Sequence, residues 1–270
     1  MNKERTIYLH PLLFLMLIAS YFLGMFIELF SFLVIVTIHE LGHFVAAKYF
    51  KWNVRRLVLW PFGGVMETED FYNRPRKEEL IVILAGPIQH VWIAVFLWAM
   101  PLSFGEHIMI ERLWLINLLV LGFNLIPIMP LDGGRLVFIM MNKWISLYRA
   151  IICMSIVSFT IILFGNVIIF IMGYYSIHLS VFSMFLLIDN WMTFQNKFIF
   201  LIRHVLNRAT FYEKNNDPPH IIEVSSQTSF PEIISRFKMN RYHYIRYQTR
   251  GEDSIISEEE FINNYFHDQA

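Results

Sequence analysis

Two histidines and a glutamate stand in the order His39-Glu40-Leu41-Gly42-His43 inside an almost unbroken apolar run. On a helix, residues four apart lie on one face, one turn above the other. His39 and His43 so placed can offer two imidazole nitrogens to a single tetrahedral zinc ion. Glu40 falls outside that pair, where a carboxylate can take a proton from water that the metal has acidified. Ionisable groups are costly in hydrocarbon and rarely face lipid. A plain core helix has no use for three polar groups so close together, and the spacing predicts a zinc-dependent hydrolytic centre. Catalytic zinc takes three protein ligands and keeps one position open, so a third ligand is needed. The candidate is Asp132, which lies in Asn124-Leu-Ile-Pro127-Ile-Met-Pro130-Leu-Asp132-Gly133-Gly134, where two prolines and a glycine pair interrupt an apolar helix. Its alternative role is to cap the helix that resumes at Gly133.

The elements that must position these groups are membrane helices. The chain has 270 residues, of which 56% are hydrophobic and 26 are Phe. That is too apolar for a soluble globule, and the expected fold is an all-α polytopic membrane protein. The formal net charge is zero, which gives no basic field for nucleic acid. The single cysteine, Cys153, lies in an apolar run and excludes a disulfide framework. About six spans are expected, near 9–27, 30–50, 80–101, from 113 to the break before Asp132, 147–169 and 171–194, each near the roughly twenty residues a bilayer needs. The first of these could imitate a signal peptide but reads as a retained span. His39 and His43 fall on the second and Asp132 at the break that ends the fourth. Irregular backbone at membrane depth persists only where protein or a wet cavity satisfies it, which puts that break in the interior.

Other stretches leave alternatives open. Leu57 to Met66 is too short to span and contains Pro61 and a glycine pair. It reads either as a β-hairpin with an edge for an extended peptide or as an interfacial loop anchored by Trp60. Trp60, Phe62 and Gly63 are therefore candidate substrate-binding residues. Asn124 joins them, able to bond substrate or to brace the broken helix. Ala85-Gly86-Pro87 would let a neighbouring helix approach closely. His90, one turn on, is either a further polar group near the metal or a hydrogen-bonded packing histidine. Glu67, Glu69 and Asp70 read as solvated loop surface.

After 195 the character changes. Residues 1–195 form the expected membrane domain, 196–214 a basic linker, and 215–270 a small α+β tail. In the tail a strand is expected from His220, a helix from the capping pattern at Ser229 to about Met239, a strand over Tyr242–Tyr247 and a helix from Ser257 through Tyr265. A unit of this size has a small core and is expected to lean on a second copy, as a homo-oligomer, or on the membrane domain.

His-Glu-Leu-Gly-His in an apolar helix, the Pro61-Phe62-Gly63-Gly64 loop, and Asn124-Leu-Ile-Pro127 leading into Leu131-Asp132-Gly133-Gly134 resemble the site-2 protease family of intramembrane zinc metalloproteases. The resemblance covers about residues 30–145, and the layout of six spans and a short tail resembles the family's sporulation subgroup. It implies one zinc ion per chain held by His39, His43 and Asp132, with Glu40 as catalytic base. It implies regulated proteolysis of a membrane-associated protein. From the subgroup it implies a sporulating-cell membrane, an inactive sigma-factor precursor (pro-sigma-K) as substrate, inhibitory or regulatory membrane proteins as partners, and a CBS-like tail able to bind ATP. The rival from another class is a membrane metal transporter or channel using the same histidines. A carrier would need polar groups continuing across the bilayer, and the outer halves of the second and fourth spans hold no acidic or basic side chain beyond His39. The intact Glu40 argues against a catalytically dead scaffold.

Loop charges set the orientation. With both termini cytoplasmic, the inner segments carry Lys48, Lys51, Arg55, Arg56, Arg74, Arg76, Lys77, Lys143 and Arg149, whereas the outer loops carry Arg112. A reporter fused after Gly105 is expected to read as external, and one fused after Glu69 or Ala270 as cytoplasmic. The reverse pattern would overturn this topology.

Overall fold

The apolar stretch before the histidines breaks earlier than its composition suggests. The computed structural model describes residues 7–60, 63–68, 70–100, 107–174, 176–208, 219–225, 228–239, 241–248 and 254–267. Ile7–Leu9 forms a short strand (β1), Pro11–Phe22 a helix of 12 residues (α1) and Phe26–Tyr49 a helix of 24 (α2). The break falls before Glu28, because the N–H groups of Leu23, Gly24 and Met25 turn back onto the carbonyls of Ala19, Tyr21 and Ser20. The span expected over 9–27 is therefore a strand and a helix shorter than the roughly twenty residues a bilayer core needs.

The all-α expectation gives way after α2. Val54–Trp60 (β2) and Gly63–Thr68 (β3) pair antiparallel, and β1 adds to β2 in parallel, in the order β1-β2-β3. Burial explains the sheet. Leu57 and Leu59 pack with Leu13 of α1, while Val54 and Met66 pack with Ala47, Trp52 and Val82. A segment too short to cross the bilayer thus hides its apolar side chains and satisfies its backbone by pairing. The hairpin reading of this segment holds over the described strands; Pro61 and Phe62, at the turn, lie outside the described residues. Asp70 is buried rather than on the surface, and its carboxylate accepts from the Asn53 N–H at the foot of the sheet.

Arg76–Ala99 (α3) and His107–Asn124 (α4) follow, and after an irregular passage Asp132–Met141 (α5). Within the passage the N–H groups of Leu125, Ile126, Ile128 and Leu131 donate to the carbonyls of Leu121, Phe123, Ile126 and Ile128. The broken backbone is thus satisfied locally, as membrane depth demands. Leu147–Ile171 (α6), Ile177–Gln195 (α7) and Lys197–Arg208 (α8) complete the apolar part. The stretch expected as a basic linker is helical in α8, where Leu201 and His204 are buried. Among the described residues, α2, α3 and α6 are long and apolar enough to cross a membrane.

Contacts divide the chain into two units, residues 1–71 with 77–136, and residues 72–76 with 137–270. The first holds the sheet, α1–α4 and the start of α5. The second holds α6–α8 and the tail. In the tail, His220–Ser225 (β4), Phe230–Ser235 (α9), His243–Gln248 (β5), Ser254–Ser257 (β6) and Glu258–His267 (α10) follow in order. β4 and β5 are parallel, and β5 and β6 antiparallel. Helix α9 ends well before Met239, because the Lys238 N–H donates to Nε2 of the buried His243 instead of continuing the helix. Ser257 Oγ accepts from the Glu260 N–H and opens α10 as expected. The Leu147 N–H donates to the Phe237 carbonyl, tying the start of α6 to the tail.

Candidate active site

Helix α2 presents both histidines on one face, buried to 2% and 4% exposure, with ring centroids 4.7 Å apart. Nδ1 of His43 lies 2.8 Å from the Val82 carbonyl of α3. A carbonyl only accepts, so that nitrogen carries the proton and Nε2 of the neutral ring is bare. Nδ1 of His39 faces Nε2 of His90 at 3.0 Å. Asp132, the first residue of α5, sends Oδ2 to within 3.0 Å of His39 Nε2 and 3.1 Å of His43 Nε2. The two Nε2 atoms are themselves 3.0 Å apart.

This is a nearly equilateral triangle of ligand atoms. Donors about 2.0–2.2 Å from a tetrahedral zinc ion stand about 3.3 Å from one another, so the triangle matches zinc geometry to within a few tenths of an ångström. Three buried acceptors facing one another repel unless a proton or a cation stands among them. Two imidazoles and a carboxylate are also a donor set that catalytic zinc uses. The residues present therefore fit the ion.

Close backbone passages shape the surroundings. A Cβ on Gly86 of α3 would lie 2.3 Å from His43 Nε2 and 2.7 Å from His39 Nε2, so α3 passes the triangle with no side chain. A Cβ on Gly64 of β3 would lie 2.2 Å from Glu40 Cγ, so the strand runs directly over the glutamate. Glu40 itself is 8% exposed. A Cβ on Gly133 would meet the Leu125 carbonyl at 2.2 Å, and the irregular passage folds onto the start of α5 only because none is there.

The structure brings His39, His43 and Asp132 together and places Glu40 beneath β3. Asp132 does more than open a helix, since its carboxylate faces both imidazoles. Trp60 is exposed at the end of β2, opposite Gly63 and stacked on His10 at 4.0 Å. Asn124 donates from Nδ2 to the Val120 carbonyl at 3.0 Å, bracing the last turn of α4. Phe62 lies outside the described residues. Asn117 sits on α4 with Oδ1 2.7 Å from His90 Nδ1. The available signal was one polar residue within each of two apolar stretches, and no spacing rule joins such a pair.

Residues 27–109 match the peptidase family M50. Over 97% of its length the chain is 32% identical to stage IV sporulation protein FB of Bacillus subtilis (strain 168), covering 92% of that protein. It is 35% identical to a zinc metalloprotease of Methanocaldococcus jannaschii over 40% of this chain and 32% of that one. The solved site-2 protease from Methanocaldococcus jannaschii superposes with a TM-score of 0.55 at 25% identity, covering 70% of this chain and 90% of that one.

The two glycines separate metal binding from chemistry. Gly86→Ala sets a methyl group against both histidine nitrogens and is expected to lose most bound zinc. Gly64→Ala displaces Glu40 alone, and is expected to retain zinc while turnover falls by about 10²-fold or more, the scale of a lost general base. Metal content and cleavage rate of the purified variants check both. Full zinc in Gly86→Ala, or wild-type turnover in Gly64→Ala, would show that the passages are not tight in solution.

Proposed function

The chain belongs to the peptidase family M50, the site-2 protease family, and is a zinc metalloendopeptidase of the membrane; from that premise we propose that His39, His43 and Asp132 hold one zinc ion and that Glu40 is the general base. The observation that carries this reading is the buried triangle of three ligand atoms with a carboxylate beside it. Zinc, when bound, supplies Lewis acidity that acidifies water and stabilises charge on a carbonyl oxygen. The Glu40 carboxylate accepts the proton of the attacking water and later delivers it to the leaving amine. Asp132 and the Nε2 atoms of His39 and His43 supply the ligand positions.

The substrate must enter extended, because a helix hides its carbonyls in its own hydrogen bonds. β3 is an edge of the β1–β3 sheet and runs over Glu40, which supports addition of a substrate strand there. Trp60, Phe62 and Gly63 would then contact the substrate at the turn end of the sheet, and Asn124 would contact it or hold the end of α4. A membrane-associated protein is the substrate class, and we assign a sigma-factor precursor such as pro-sigma-K within it. The sporulation name of the relative that matches nearly end to end supports that choice. A metal transporter is not favoured, because the matched family is a peptidase family and the Methanocaldococcus jannaschii matches are proteases.

Several passes with both termini cytoplasmic are supported by the loop charges. The domain limits 1–195, 196–214 and 215–270 follow the change in composition. The β-α-β-β-α order of the tail supports a CBS-like unit. Burial, and then the charges of Lys238 and Arg241, lower the pKa of His220 at the start of β4. The positive charges of Lys238 and Arg241 beside it would suit ATP phosphates. Regulatory membrane proteins and a second copy of the chain are further partners of this unit.

Glu40→Gln is expected to keep zinc and fold while the cleavage rate of the purified enzyme falls at least 10²-fold, roughly. Full activity in this variant would remove the general base. Asp132→Ala should lower bound zinc, and normal metal content there would return Asp132 to capping. A chain ending at Arg208 is expected to keep zinc but to lose ATP binding and efficient cleavage of a substrate with a soluble domain. Equal cleavage by the truncated and full chains would make the tail passive.

A further inference from the structure

We propose that His90 and Asn117 form a positioning relay that dictates which nitrogen of His39 can bind the metal; this rests on the zinc reading above. The relay starts at a backbone oxygen. Asn117 Nδ2 lies 3.1 Å from the carbonyl of His90. A carbonyl only accepts, so the amide must turn its NH2 group there and its Oδ1 the other way. That Oδ1 stands 2.7 Å from His90 Nδ1. It too only accepts, so His90 Nδ1 carries the proton and its Nε2 is bare. The bare Nε2 lies 3.0 Å from His39 Nδ1. It therefore requires the proton on His39 Nδ1, which leaves His39 Nε2 bare and aimed at the ligand triangle.

Each link follows from the one before, and the opposite arrangement fails at the metal. The other tautomer of His90 would set an N–H against His39 Nδ1. The remaining proton of the neutral His39 ring would then move to Nε2 and block coordination. His43 needs no such chain, since its Nδ1 donates straight to the Val82 backbone carbonyl. His39 depends instead on two side chains from two further helices. Both are 1% exposed, so water cannot stand in for either. Groups that orient a metal-ligating histidine through its far nitrogen typically change metal affinity 10- to 100-fold when removed.

The test uses the detergent-solubilised full chain with zinc affinity measured by competition against a chelating dye, and with the ligand-field spectrum after cobalt substitution. His90→Phe keeps a ring of similar size but has no acceptor. His90→Gln can set a carboxamide oxygen where Nε2 stood. We expect His90→Phe to bind zinc about 10- to 100-fold more weakly and to shift the cobalt bands, with His90→Gln staying within about threefold of the wild type. Wild-type affinity and spectrum in His90→Phe would overturn the relay. So would equal weakening in His90→Gln and His90→Phe, the mark of a packing role. Should His90→Phe not accumulate, Asn117→Ala carries the same test, because it leaves both rings but frees the proton on His90. Undiminished zinc affinity in that variant would overturn the relay. A wild-type chain that binds no zinc would contradict the zinc reading instead.

Discussion

Three acceptor atoms held within 3.1 Å of one another, in a setting shielded from bulk water, need positive charge among them. Most of the first unit can be understood from that need. The i, i+4 spacing on α2 points two imidazoles the same way. α3 offers a carbonyl to His43 and, at Gly86, a surface with no side chain. The passage between α4 and α5 delivers Asp132 and satisfies its own backbone as it does so. Remove the cation and each of these features becomes a liability, because unpaired buried acceptors cost several kcal/mol or draw protons from elsewhere.

Peptide hydrolysis adds a second demand that helices alone cannot meet. A scissile carbonyl must leave its helix before anything can attack it. Under the proposed mechanism the β1–β3 sheet would answer this beside the helices of the first unit. Its third strand lies over Glu40 so closely that residue 64 can carry no Cβ. The same closeness that brings an open strand edge to the base also confines the base. If Glu40 is the base and substrate adds to β3, substrate geometry and proton transfer are coupled through one glycine.

The ligand set was legible because its chemistry is local. His-Glu-x-x-His must keep its spacing on a helix, and an aspartate following two prolines in an apolar run has few other uses. The hairpin could be read as one of two options, since Pro61 and the glycine pair rule out a span. β1 could not, because three residues pairing in parallel with a strand some fifty positions later leave no periodic trace. The expected spans 9–27 and 30–50 divide the first apolar run around Glu28, where the charge is, whereas the chain turns at Leu23–Met25 through backbone bonds that composition does not reveal. The sequence leaves His90 open between a polar group near the metal and a packing histidine, and only the folded arrangement of α2, α3 and α4 puts it and Asn117 in series with His39. In the tail, the early end of α9 depends on a bond from Lys238 to a histidine on the next strand, which helix propensity cannot anticipate.

The central claim is that two imidazoles and one carboxylate hold the metal. Zinc X-ray absorption on the active, purified chain tests it most directly. The account predicts a shell of nitrogen and oxygen at about 2.0–2.1 Å with the scattering signature of two imidazole rings and no sulfur. A sulfur-containing shell, a shell with fewer than two imidazoles, or full activity in protein without zinc would contradict it.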